Sequence, residues 1–303
     1  MADSTTTVAG SGGLELAVHE WGDPARPTIV LVHGFPDSSS VWIPVAQALV
    51  DHGFHVAAHD VRGTGGSEAP SHTSGYELEH LVADIRAVAD AVSPDQPVHL
   101  VGHDWGSIQG WEAACSEVLD GRLLSYTSIS APPLDHAGHW MRARREEKAF
   151  GALLQQGLRS AYIPFFHLPG VQAGAERIQG ALTASRKRFG KAIARRENAR
   201  VDGDWPASTF GRDVANGMEL YRANVRDRLA RPNPLRARVP VQLIVAVHDP
   251  WVPPSLLDGL EDIAPDLRRR NVDAGHWVIR SQPVDVAVWI TEFVESLDEV
   301  PGS

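Results

Sequence analysis

Asp104 lies between two glycines, in Gly102-His103-Asp104-Trp105-Gly106, where a β-rich run, Val98 to Gly102, gives way to a helical stretch. Small residues two places either side of a reactive side chain permit the sharp strand-to-helix turn that pushes it off a sheet edge, the nucleophile elbow. A carboxylate at that position needs no base before it attacks. Its target is an electrophilic carbon, and the product is an ester to the protein. The competing reading is a helix N-cap aspartate with chance glycines nearby. Further along, Val247-His248-Asp249-Pro250 ends one β-rich run with a carboxylate, and Ala274-Gly275-His276-Trp277 follows the next with an imidazole. The order nucleophile, acid, histidine is one in which such elbows occur. The chain has fourteen histidines, so His276 is singled out by its position and not by its type. Upstream, His33-Gly34-Phe35-Pro36 ends an earlier run, where a backbone N–H can help hold an oxyanion. With the residue after the nucleophile, the two donors are Phe35 and Trp105.

These residues need a scaffold of strands that all end on one edge. Six β-rich runs recur at Thr28 to His33, Phe54 to His59, Val98 to Gly102, Leu123 to Ser130, Val241 to Val247 and Arg270 to Asp273. Their near-continuous apolar character is that of strands covered on both faces, as in a parallel sheet between helices. Between them, Tyr76 to Val92 carries an apolar stripe at Leu78, Leu81, Val82, Ile85, Val88, Ala89 and Val92, and Asp285 to Leu297 repeats the pattern as a closing helix. The prediction is an α/β fold with a mostly parallel central sheet. Residues 132 to 238 break the alternation, lacking strand runs and being rich in Ala, Arg, Leu and Gln. They hold 20 Lys+Arg against 10 Asp+Glu, whereas the remainder, from totals of 28 and 38, holds 8 against 28. Prolines stand at both borders, at Pro132-Pro133 and at Pro232 and Pro234. This segment is predicted to be a helical cap inserted in an acidic core formed by residues 1 to 131 and 239 to 303. No internal repeat is visible, and low complexity is confined to the first 13 residues.

Composition excludes several classes of function. The 303 residues are 43% hydrophobic and 22% charged, the balance of a packed globular protein. No apolar run approaches the roughly 18 residues that a bilayer demands, and the N-terminal MADSTTTVAGSGG has neither the basic nor the apolar region of a secretory signal, so the expected location is the cytosol. The single cysteine, Cys115, forms no internal disulfide and leaves no cysteine set for a zinc site. It is read as a small buried hydrophobe. A net charge of −10 argues against nucleic acid as a partner. The basic run from Arg186 through Lys187, Arg188, Lys191, Arg195, Arg196 and Arg200 could attract anionic lipid, but such runs are more often the solvated face of a helix, the reading taken here. Arg62-Gly63-Thr64-Gly65-Gly66-Ser67 lacks the lysine of a phosphate loop and is read as a structural turn beside the site. The C-terminal Glu299-Val-Pro-Gly-Ser303 reads as a linker.

From Leu14 to Leu297 the motifs His33-Gly-Phe-Pro36, Arg62-Gly-Thr-Gly-Gly-Ser67, Gly102-His-Asp-Trp-Gly106, Asp249 and Gly275-His276 resemble those of the α/β-hydrolase superfamily. More narrowly, the chain resembles its epoxide hydrolases, including the hydrolase portion of mycobacterial members. Haloalkane dehalogenases share these core motifs, so the discriminator is the cap. Epoxide hydrolases hold the epoxide oxygen with two cap tyrosines. Of the four tyrosines here, Tyr162 (in Tyr162-Ile-Pro-Phe-Phe-His-Leu-Pro169) and Tyr221 (in Glu219-Leu-Tyr221-Arg222) fall in matching contexts. The ordinary alternative for both is amphipathic packing between cap and core. Leu220 departs from the aromatic residue relatives often carry there, which leaves the pocket wall open but not the phenol. The resemblance also implies a cis peptide before Pro36.

It further implies that Asp104 opens the epoxide ring while Tyr162 and Tyr221 donate to its oxygen. Water activated by His276, oriented by Asp249, then hydrolyses the ester against the Phe35 and Trp105 N–H groups, yielding a vicinal diol. Phe35, Trp105, Tyr162 and Tyr221 are the expected substrate contacts, the substrate a small apolar epoxide with water, and no metal or organic cofactor is required. Two other readings remain: a dehalogenase with Trp105 as one halide donor and Trp205 or another cap indole as the second, against which Phe35 counts because many dehalogenases place Asn there, and a non-catalytic ligand receptor of the same fold.

Overall fold

A computed structural model describes residues 2–298. The sheet has eight strands: β1 (Ser4–Ala9), β2 (Glu15–Trp21), β3 (Thr28–Val32), β4 (His55–His59), β5 (Val98–His103), β6 (Leu123–Ile129), β7 (Val241–Ala246) and β8 (Leu267–Val272). Their order across the sheet is β1-β2-β4-β3-β5-β6-β7-β8. β2 runs antiparallel to both β1 and β4, and every other pairing is parallel. Successive side chains of a strand point to opposite faces. Thus Val30 and Val32 of β3 join one apolar cluster while Ile29 and Leu31 join the other, and β7 divides Leu243 and Val245 from Ile244 and Ala246 in the same way. Strands buried on both faces read as unbroken apolar runs for this reason.

Helices cover both faces. α1 (Ile43–Asp51), α10 (Val278–Ser281) and α11 (Pro283–Asp298) pack together, and α2 (Leu78–Val92) packs against α3 (Trp105–Cys115). The stripe from Leu78 to Val92 is buried along its whole length, as its period required. Arg62 is buried and bidentate to Asp84 of α2, with both contacts at 2.7 Å, so the glycine-rich turn is pinned to the helix layer by an ion pair.

Between β6 and β7 the described chain forms six helices and no strand: α4 (Leu134–Glu146), α5 (Phe150–Arg159), α6 (Tyr162–Phe166), α7 (Val171–Arg177), α8 (Gln179–Glu197) and α9 (Phe210–Ala230). α9 is their spine, packing on α4, α7 and α8. It is fixed to the start of α2 by buried Asn224, which accepts from the Leu78 N–H at 3.0 Å and donates to the Tyr76 carbonyl at 2.8 Å. Arg228 adds an ion pair to Asp135 of α4 at 2.9 Å and another to Glu112 of α3.

The structure corrects the sequence reading at both edges of the sheet. Ser4–Ala9, within the stretch read as low-complexity, is β1, an exposed polar edge strand whose β-branched threonines suit a pleated surface without any apolar signal. β2 was also not foreseen. At the other edge β8 begins at Leu267, three residues before the predicted run, and its arginines leave it only partly buried, because an edge strand is covered on one side alone. Residues 299–303, read as a linker, lie outside the described residues. No helix among those described is long and apolar enough to cross a membrane.

Candidate active site

Asp104 occupies the turn between β5 and α3 with φ +53° and ψ −118°, a backbone conformation that a non-glycine residue rarely adopts. Its neighbours explain the glycines. A Cβ on Gly106 would fall 2.0 Å from the Val32 carbonyl oxygen and one on Gly102 would fall 2.2 Å from that of Gly106, so neither position admits a side chain. Gly34 likewise leaves room for the Asp104 side chain itself, whose Oδ1 would lie 2.4 Å from an added Cβ.

The carboxylate is held from two sides. Phe35 donates its backbone N–H to Asp104 Oδ1 at 2.7 Å, and His276 Nε2 lies 3.5 Å from Oδ2. Burial alone would raise the Asp104 pKa, but the His276 imidazole and the Phe35 N–H outweigh it and hold the group below the usual carboxylate range. The turn that carries Phe35 is set by His33, whose Nδ1 donates to the Gly34 carbonyl at 2.9 Å while Nε2 accepts from the Val61 N–H at 3.0 Å. The Phe35–Pro36 peptide is cis, and Trp105 is the first residue of α3.

His276 and Asp249 complete the constellation. His276 Nδ1 donates to Asp249 Oδ2 at 2.7 Å, and the other Asp249 oxygen accepts the backbone N–H groups of Trp251 and Val252 at 2.8 and 3.0 Å. Every acceptor of that buried carboxylate is thus directed, which fixes the imidazole plane. Burial opposes a charged imidazole, yet the two flanking carboxylates raise the His276 pKa well above its ordinary value. Both flanking carboxylates thus favour the protonated form of the ring.

Tyr162, the first residue of α6, and Tyr221, on α9, meet edge to face with ring centroids 5.6 Å apart. Burial raises both phenol pKa values, and the Asp104 carboxylate adds to the rise, so both stay protonated as donors. Asp104, Trp105, Tyr162, Tyr221 and Trp251 all line one cavity of about 630 Å³ whose remaining wall is mostly apolar. The structure therefore brings together the triad residues and both cap phenols. It does not place the Phe35 side chain in that wall. The ring packs against Tyr221 and Phe166 instead, and it is the Phe35 backbone N–H that meets the Asp104 carboxylate. Nor is Trp205 free to hold a halide: its indole N–H donates to Asp37 Oδ1 at 2.7 Å, away from the cavity.

Three neighbours, His103 and Asp37 buried and Glu197 half-buried, escaped the sequence reading. His103 stacks 4.9 Å from the His276 ring and donates Nε2–H to the His276 carbonyl at 2.8 Å. Burial and the adjacent His276 charge lower its pKa to about 4, so it remains neutral. Asp37 accepts from the indoles of Trp205 and Trp277, and burial raises its pKa to about 6 in spite of them. Glu197, at the end of α8, accepts the Trp277 N–H at 2.7 Å and fills the space that Gly275 leaves open. His103 had one signal, its place inside the elbow motif. Asp37 and Glu197 had none, because their partners are remote in sequence.

The sequence pattern of the α/β-hydrolase fold matches residues 27–281, and the chain belongs to that family. Within it, the chain is similar to epoxide hydrolases. Epoxide hydrolase A of Mycobacterium tuberculosis (strain ATCC 25618 / H37Rv) is 28% identical over 327 residues, covering 98% of this chain and 99% of the relative. A protein of the same organism named "Probable oxidoreductase EphD" is 34% identical over 295 residues, or 94% of this chain but 48% of its own length, so the chain spans about half of that relative. The crystal structure of Bacillus megaterium epoxide hydrolase in complex with an inhibitor superposes with a TM-score of 0.76 at 25% identity, covering 96% of this chain and 100% of the other.

Proposed function

We propose that the protein hydrolyses apolar epoxides to vicinal diols through a covalent ester on Asp104. The observation that carries this reading is the meeting of a carboxylate at a strained turn and two phenols, their rings edge to face, in the wall of one apolar cavity. In the proposed first step Asp104 attacks a ring carbon while the C–O bond breaks. Tyr162 and Tyr221 donate to the departing oxygen, which takes up a phenolic proton, and solvent restores it. A buried phenol is suited to this, since it remains un-ionised yet is far more acidic than the alkoxide it protonates.

The second step follows from the electrostatics. While Asp104 is ionised, the two carboxylates favour the protonated imidazole, which is no base. Ester formation removes the Asp104 charge, and with it one of the two carboxylates that raise the imidazole's pKa, so the ring releases its proton to solvent and can then take one from the attacking water; as the tetrahedral intermediate collapses, that proton passes to the departing diol oxygen and the Asp104 carboxylate is restored. Asp249 remains to orient the ring and balance its charge. The oxyanion of the tetrahedral intermediate would sit where Asp104 Oδ1 now accepts the Phe35 N–H, with the Trp105 N–H as second donor; such donors contribute roughly 3 kcal/mol each in comparable sites.

In this reading residues 132–238 are a cap closing the cavity over a core of 1–131 and 239–303, the substrate is a small apolar epoxide with water, no cofactor takes part, and the enzyme works in the cytosol. A single turnover in oxygen-18 water with enzyme in excess tests the chemistry. The first diol should be unlabelled, its new oxygen coming from Asp104. Label in that diol would mean direct attack by water and would remove Asp104 as nucleophile.

A further inference from the structure

The helix that walls the cavity on its inner side has an apolar outer side that none of the described residues covers. α5 buries no residue, and Phe150, Leu154 and Leu158, spaced four apart on one face, are 63, 66 and 71% exposed. Leu153, Gln156 and Gly157, on a different face of the same helix, line the cavity. The next helix repeats the arrangement, with Tyr162 and Ile163 turned to the cavity and Phe165 half-exposed, followed by Leu168. Five large apolar side chains are thus exposed between residues 150 and 168. Contiguous exposed apolar surface of this kind marks a site of association.

Charge selects the occupant. From Lys148 to Ala175 there is no Asp or Glu, and the six-helix segment around it carries the excess of ten positive charges that the rest of the chain lacks. Arg145 and Arg226, both exposed, also line the cavity and so mark where it meets the surface, and Arg145 stands five residues before Phe150. The N-terminal flank of α5 holds Arg142, Arg144, Arg145 and Lys148 against Glu146 and Glu147. A short helix with aromatic and leucine side chains outward, itself free of carboxylates and with cations in excess on its flank, has the character of an interfacial helix that sinks into the headgroup–acyl boundary of an anionic bilayer.

We propose that α5 and α6 dock this protein on anionic lipid surfaces, with Phe150, Leu154 and Leu158 inserted and the cavity mouth at Arg145 and Arg226 facing the bilayer. An apolar molecule dissolved in the membrane would then reach the cavity without crossing water. Docking does not depend on the chemistry assigned to Asp104.

Co-flotation with vesicles of phosphatidylcholine, with and without phosphatidylglycerol, tests the proposal. The protein should float with the phosphatidylglycerol vesicles, and added salt should weaken the association. The triple variant Phe150→Ser, Leu154→Ser, Leu158→Ser should lose about tenfold or more in partition while keeping its thermal unfolding midpoint, and Lys148→Glu should lose less. The proposal is overturned if the protein ignores both vesicles, if the folded triple variant floats as well as its parent, or if neutral vesicles bind equally well. It is also overturned if sedimentation shows a dimer that the triple variant dissolves, since a second copy would then be the occupant.

Discussion

The two halves of the site are built on opposite principles. Asp104, Asp249 and His276 stand just beyond the ends of β5, β7 and β8, fixed by a buried sheet and by directed hydrogen bonds on both oxygens of Asp249. Tyr162 and Tyr221 come from a helical segment whose α5 buries no residue and whose outer face is open. In the proposed chemistry the groups that keep their geometry through two steps would sit on rigid elements, whereas Tyr162 would sit beside a helix with an open outer face and only Tyr221, on the buried α9, would be anchored as firmly as the sheet residues.

The largest effect should come from the rigid half. Asp104→Asn should lower turnover on the order of 10⁴-fold or more, since no other nucleophile is placed there, and intact-mass analysis should find no adduct. His276→Gln should spare ring opening and accumulate an ester equal to the substrate in mass. If that folded variant consumes no epoxide and carries no adduct, the division between the steps fails.

Removing both phenols, Tyr162→Phe with Tyr221→Phe, should slow ring opening by about 10²- to 10⁴-fold and leave hydrolysis of a simple ester much less affected. Near-full epoxide turnover by the double variant would mean that the helical layer supplies no chemistry, only a cover.

A pH series separates the halves without mutation. Asp104 is held below the carboxylate range and the phenols above theirs, so single-turnover ring opening should stay flat from mildly acid to mildly alkaline conditions. Ester hydrolysis needs His276 neutral. In the ester Asp249 still favours the cation, so the trapped ester fraction should rise as pH falls and shrink as pH rises. Quenched-flow mass analysis reads both, and an ester fraction rising with pH would refute His276 as the base.

The same contrast should hold for stability. Asp84→Asn leaves the Arg62 guanidinium buried without its bidentate partner and should cost about 3–5 kcal/mol in denaturant unfolding. Leu154→Ser, on the open face of α5, should stay within about 0.5 kcal/mol, the smallest of these effects. A larger loss would mean that the face is packed against something in the folded protein.

The sequence by itself determined whatever depends on local steric and periodic rules. The central strands are legible because burial on both faces demands unbroken apolar runs, and α2 because its stripe has a helical period. Asp104 is legible because the turn that exposes it requires glycine on either side, at positions where a Cβ would meet backbone. Tyr162 and Tyr221 were reached only through the resemblance of their flanks, since nothing in either context says that two helices will bring their rings together. The rest was decided by tertiary structure. β1 was missed because an exposed edge strand carries no apolar pattern, and Asp37 and Glu197 because a carboxylate engaged inside the fold looks like a surface one until the chain folds indoles and a backbone N–H onto it. Phe35 shows the limit most plainly: its position in the motif placed the N–H, but packing sent the ring away from the cavity, because backbone direction follows local geometry whereas a side chain's surroundings come from elements far along the chain.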